Sequence, residues 1–140
     1  MSIKKTLYFS EEKAKELLQK SIKICETIYG KDHFGTAYIL NNLGQVFLKE
    51  GQIVIAENYF YQTLTLFQKN KHPDIYMVFE NLSDLNLKKF KEGSSNSYSE
   101  NDKLQAIEYL KQALESMKFR FPKDSIHIKR IKDKLKNLEF

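Results

Sequence analysis

The side chains able to do acid–base, metal or thiol chemistry are few in this 140-residue chain, and poorly spaced for it. His33, His72 and His127 lie tens of residues apart. None has a second histidine one helical turn away beside a carboxylate, as a metal site on a helix requires. No glycine-rich loop is present to cradle a phosphate. Cys25 falls on an apolar stripe and reads as a small core residue rather than a reactive thiol. Asn81-Leu82-Ser83 fits a glycosylation acceptor, but it sits inside an expected helix. Catalysis, a metal and a cofactor are therefore not expected. The chemistry that remains is charge. Lys118–Lys136 carries eight basic residues against two acidic ones, a net +6, while the whole chain is +5. That stretch suits either a solvated terminal helix or an anionic partner.

The elements that carry these groups follow from composition and period. Apolar residues make up 41% and charged residues 29%, which is ordinary for a globular chain of one domain's length. No basic segment followed by an apolar one marks a signal peptide or membrane span, so a cytoplasmic location is the expectation. Apolar residues recur at helical spacing in six segments. The first is expected over about 10–29 with Ser10 as its cap, the second over 34–50, and the third over 52–69. The fourth opens at Pro73 and fades near Phe90. A polar stretch, "GSSNSYSEND", reads as a loop. The fifth follows over about 101–119, capped by Ser99 and Asp102, and the sixth over 123–138. No strand pattern competes.

Odd and even segments repeat two different templates. Ala14, Leu18, Ile22 and Cys25 recur 42 residues later as Ala56, Phe60, Leu64 and Phe67. They recur again after a further 50 as Ala106, Leu110, Leu114 and Met117. Phe34 to Leu43, Pro73 to Leu82 and Pro122 to Ile131 are the same interval in the even segments. This is an array of helix hairpins. Gly44, in a helix interior, costs roughly 1 kcal/mol against alanine, so close packing must offset it; the repeat register pairs it with Ala56. The first segment matches the second-of-pair template and has no partner before it. Its apolar face is expected to be covered by Ile3, Leu7, Tyr8 and Phe9, by another protomer, or by sequence beyond that given.

Leu43-Gly44, Phe47, Gly51, Ala56 and Phe60, echoed by Leu82 and Ala106, resemble the tetratricopeptide repeat, in its longer kinesin-light-chain form. Thr63, Ser21 and Asn86 depart from its usual alanines and aromatic. The resemblance implies an all-α, right-handed superhelical solenoid of about six helices. Its parts would be a half repeat at 10–33, a full repeat at 34–72, a repeat with an inserted loop at 73–121 and a capping helix at 123–138, all in one domain.

The resemblance also implies a non-enzymatic protein-interaction module that holds a partner's peptide or helix in a concave groove lined by the even helices. The residue before the motif leucine would read the ligand's main chain or carboxylate. Asn42, Asn81 and Arg130 hold that place. Tyr38, Asn41, Gln45, Lys49, Met77, Glu80, Asp84, Lys88, Ile126 and Lys129 complete the expected lining. Amides suit a peptide backbone and a guanidinium suits a carboxylate. Self-association through the first helix is the second expected contact. Nucleic-acid or anionic-surface binding through 118–136 is the alternative.

Overall fold

The computed structural model describes the backbone of residues 3–93 and 98–139, and side chains within 10–93 and 100–139. All regular structure among the described residues is helical. The helices are α1 (Ile3–Tyr29), α2 (Phe34–Lys49), α3 (Ile53–Lys69), α4 (Ile75–Glu92), α5 (Tyr98–Met117) and α6 (Ile126–Leu138). The all-α class and the six helices agree with the sequence. Two compact units divide the chain, Met1–Asn70 holding α1–α3 and Lys71–Phe140 holding α4–α6. In the first, α2 packs on both α1 and α3; in the second, α5 packs on both α4 and α6.

Several boundaries move. Ser10 caps nothing, because α1 already begins at Ile3. No glycine or proline interrupts "IKKTLYF", and serine within a helix is only mildly unfavourable. A continuous helix also cannot fold back over its own face, so the expected cover by that segment is not formed by the backbone. The side chains of Ile3, Leu7, Tyr8 and Phe9 lie outside those described. Pro73 precedes α4 in a turn, and Asp74 is its cap. Ser125, not the residue after Pro122, starts α6, its hydroxyl accepting from the His127 N–H.

The inserted stretch is helical from Tyr98 on. Relative to α2 and α3, α4 runs on past Lys88 to Glu92 and α5 begins at Tyr98 rather than at Lys103. Glu100 in the first turn of α5 favours that start by its charge at the positive end of the helix. Tyr98 to Asp102, expected as loop, thus lengthen the hairpin. The remainder, 94–97, lies outside the described residues.

In the first unit, Ala37, Leu40, Leu43, Ala56, Phe60 and Phe67 form the buried face of the α2–α3 hairpin. The reason for Gly44 is Phe60, not Ala56. A methyl group on Gly44 would approach the Phe60 Cδ1 to 2.6 Å and the Cε1 closer still. Ala56 is fully buried one turn earlier on the same face of α3. The close neighbour is the ring, which needs the space that the missing side chain leaves. Gly51 ends the hairpin turn at φ +79°, a conformation that glycine adopts freely. In the second unit, Leu82, Leu85, Ala106, Leu110, Ala113 and Met117 are buried, with Ile131 from α6.

Candidate functional site

On α2 and α4 most of the expected groove residues fall on one stripe each, at spacings of four, three and four. On α2 the stripe is Tyr38, Asn42, Gln45 and Lys49. Asn42, Gln45 and Lys49 are exposed and Tyr38 half-buried, its ring edge-on to Phe67 at 5.3 Å. Among the described residues Asn42 makes no hydrogen bond, so its donor and acceptor both face outward. A helix surface of this kind offers an amide pair at the centre and a cation at the C-terminal end.

Asn41 does not belong to that stripe. It is 1% exposed, because positions 37, 40, 41 and 44 form the buried face of α2 at helical spacing. Its amide serves packing. Asn81 in α4 is similarly 8% exposed and engaged with a neighbour. The reason is that α4 buries a wider face than α2, with Val78, Phe79, Leu82 and Leu85 on either side of it. Met77, Asp84 and Lys88 on the same helix are half-buried.

Arg130 is already occupied. Its Nε and Nη2 donate to the Glu80 carboxylate at 3.0 and 2.9 Å, a two-pronged pair between α6 and α4. Lys134 adds a donor to Glu80 at 2.7 Å and reaches Asp84 at 3.1 Å. The Glu80 side chain is only 14% exposed. Burial alone would raise its pKa, but the hydrogen bonds from Arg130 and Lys134 outweigh burial and lower it. Asp84 moves the other way, because partial burial raises it and Lys134 offsets that only in part. Burial would lower Lys134, yet Glu80 and Asp84 together raise it. Glu80 thus takes the Nε–Nη2 edge of Arg130, the edge that would clamp a ligand carboxylate in two-pronged fashion, and leaves Nη1, 3.0 Å from His127 Nδ1. Sequence could not reveal this pairing, since its members lie 50 and more residues apart.

The basic stretch is partly neutralised in the same way. Lys118 pairs with Glu115, Arg120 with Asp74, and Arg130 and Lys134 with the α4 carboxylates. Lys123, Lys129, Lys132 and Lys136 have no ion pair among the described residues.

The histidines act as caps and neighbours. His33 Nδ1 accepts from the Gly35 N–H at 3.0 Å, and His72 Nδ1 accepts from Asp74 N–H at 3.1 Å. The two linkers thus use the same device at equivalent positions. His127 stands against Phe121 and beside Arg130. No group of three metal-binding side chains occurs among the described residues. Also among them, no helix is long and apolar enough to cross a membrane.

On α1, Leu17, Ile24 and Ile28 remain 55%, 60% and 64% exposed. The opposite side is tied to α2, where Lys15 pairs with Glu50 at 2.9 Å and lies 5.0 Å from the centre of the Phe47 ring.

Residues 10–69 match the family model described as tetratricopeptide repeat. The relatives found include tetratricopeptide repeat protein 19, mitochondrial, of rat and of mouse. Each is 28% identical over 79 residues, which is 55% of this chain. The match covers 22% of each relative, so the chain spans about a fifth of their length. Repeats of this family are generally protein–protein interaction modules. The match over 10–69 covers α2, α3 and most of α1, with Gly44, Gly51, Ala56 and Phe60 in their structural roles, and over this part the chain is similar to the tetratricopeptide repeat.

Proposed function

We propose that this chain is a non-enzymatic interaction module that binds a peptide or helical segment of a protein partner on the polar face of α2. The supporting observation is the continuous stripe Tyr38, Asn42, Gln45 and Lys49, which leaves an unengaged amide in the middle of an otherwise well-packed hairpin. Such amides read a main chain, and the flanking tyrosine and lysine add an apolar and a charged contact. Met77, Asp84, Lys88 and Arg130 form the corresponding surface on α4 and α6, with Arg130 held in reserve by Glu80. Asn41 and Asn81 support this surface from inside rather than touch the ligand. The test is affinity purification of the partner followed by titration against Asn42→Ala and Gln45→Asp. A loss of affinity with an unchanged melting temperature is expected. Full affinity in both variants would move the site off α2.

A second contact is carried by the exposed Leu17, Ile24 and Ile28 on α1. An apolar stripe of this size on a helix favours self-association. Light scattering should show a dimer at high protein concentration that Ile24→Glu dissociates. A monomer mass throughout would remove that contact.

A further inference from the structure

Between α5 and α6 lies a cavity of about 540 Å³ whose floor is Leu114, Phe121 and Ile128 and whose edge is Lys118, Lys123 and Lys132. We propose that it seats an acidic amphipathic helix from a partner protein. The proposal goes beyond the α2 surface and does not rest on it.

The chain itself shows what kind of element fits. Lys132 occupies in α6 the register that Gly44 occupies in α2 and Ser83 in α4, and Ile128 corresponds to Leu40 and Phe79. In both earlier helices that face is covered by the following helix of the hairpin. Phe60 of α3 fills the space over Gly44, and Ser83 donates to the Ala106 carbonyl of α5 at 2.8 Å. On α6 the same face carries an exposed lysine instead. A helix cannot close on Lys132 as α3 closes on Gly44, because an aromatic ring there would meet a four-carbon stem and an ammonium group. A helix with a carboxylate in that register meets a counterion, and its neighbouring apolar residues reach Leu114, Phe121 and Ile128.

Charge decides the occupant. Lys123 and Lys132 have no ion pair among the described residues, and Lys118 shares its charge only with the exposed Glu115. A second copy's α1 would bring Lys13 beside its exposed Leu17, with its Glu12 and Glu16 already paired to Lys15 and Lys20, and so offers these lysines little carboxylate to meet. A nucleic-acid duplex would meet only the lysines and leave Leu114 and Ile128 uncovered, a single strand could stack on Phe121 alone, and a membrane surface is too flat to enter a cavity. Phe119, 98% exposed in the same connection, extends the apolar contact beyond the edge.

Fluorescence anisotropy with a labelled amphipathic peptide of about twenty residues, leucines on one stripe flanked by glutamates, tests this. We expect binding that weakens about tenfold in Lys123→Glu and in Lys132→Glu. A peptide with lysines for the glutamates should prefer the double reversal. Lys132→Ser, the residue type that α4 carries, should fold normally and bind more weakly. Amide shifts in the full chain should centre on Leu114, Phe121 and Ile128, and Asn42→Ala should bind as the parent does. No binding, or equal binding of a glutamine-for-glutamate peptide, would overturn the proposal. So would shifts on the α2 stripe. Loss of self-association in Lys132→Glu would assign the face to a second copy. Tighter binding of an RNA oligomer or phosphatidylserine vesicles, lost in the same variants, would assign it to that anionic surface.

Discussion

At the crossing of α2 with α3, Gly44 leaves room for the ring of Phe60, whereas the equivalent positions of α4 and α5 hold Ser83 and Leu110. A related pairing lies further along the same two helices. Ala37 faces Thr63 in the first hairpin, the Thr63 hydroxyl lying 3.3 Å from the Ala37 carbonyl oxygen. The second hairpin has Tyr76 and Ala113 in those places. A smaller residue on one helix is matched by a larger one on the other; the smaller stays on the first helix at Gly44/Phe60 and Ser83/Leu110, but the sides change between Ala37/Thr63 and Tyr76/Ala113. Hydroxyl groups follow the same rule from opposite sides, since Thr63 belongs to α3 but Ser83 to α4. The template therefore specifies the sum across a crossing, not the residue at a position. Interiors packed to crystal density respond to the pair.

The largest effect should come from breaking that pairing. Gly44→Leu forces the buried Phe60 ring aside and is expected to cost about 1–3 kcal/mol or more in urea unfolding. Gly44→Ser should also destabilise, since even a Cβ meets the ring. Combining it with Phe60→Leu installs the pair found in the second hairpin and should recover most of the loss. If the double variant is as unstable as the sum of the single ones, the two crossings are not equivalent.

A second contrast concerns two asparagines in the same register. Asn42 is exposed and Asn81 is buried. Asn81→Ala is expected to lose about 1–3 kcal/mol, because a buried neighbour loses its partner. Asn42→Ala should stay within about 0.5 kcal/mol. Equal melting temperatures for the two variants would mean that the faces of α2 and α4 are buried alike.

These contrasts mark the limit of what the sequence discloses. Period and repeat spacing identify six helices, two templates and the hairpin partners, because burial of an apolar stripe dominates all three. The rotation of one helix against the next depends on single contacts. The spacing therefore pairs Gly44 with Ala56, while the actual neighbour is one turn away at Phe60. Register places Asn81 with Asn42, but the width of the buried face is set by Phe79 and Leu85 around it. Ser10 and Ser99 read as caps because capping is local, yet the helices run through them once upstream residues also favour helix. The Arg130–Glu80 pair joins two copies of the same template 50 residues apart, and no local pattern encodes it.

Carboxylate chemistry separates the units next. Asn41 in α2 corresponds to Glu80 in α4, and only Glu80 meets cations from a later helix. Its folded pKa lies below the ordinary 4.5, so its ionised form stabilises the fold. That contribution is complete above the ordinary value and is lost as pH falls through the lower folded one. Asp84, with a raised pKa, gains slightly on protonation and opposes the trend. Amide protection in α6, corrected for the intrinsic exchange rate, should therefore fall on acidification from about pH 5 to pH 3, with α2 and α3 less affected. Glu80→Gln should cost about 1–2 kcal/mol, discounted for the half-open Arg130 and Lys134, and should flatten that pH response.

The smallest effect should come from making the hairpins equal in length. The three residues 50–52 connect α2 to α3, with Gly51 at positive φ, while α4 and α5 each run about a turn further before they join. Removing residues 90–100 would join Lys89 to Asn101 and restore the register of the shorter hairpin, with Asn101 in the place of Gly51. Asparagine is the side chain that best tolerates the left-handed conformation required there. The deletion discards the contact of Lys103 with the Phe90 ring, 5.8 Å from its centre, worth about 0.5–1 kcal/mol at an exposed site. Loop-closure entropy changes by less than about 1 kcal/mol over such a difference in length. The shortened chain should thus unfold within about 1 kcal/mol of the parent, and Asn101→Gly in that background should raise its stability. A shortened chain that fails to fold would show that the extra turns of α4 and α5 hold the second hairpin together, and that the first hairpin is stable for reasons the second lacks.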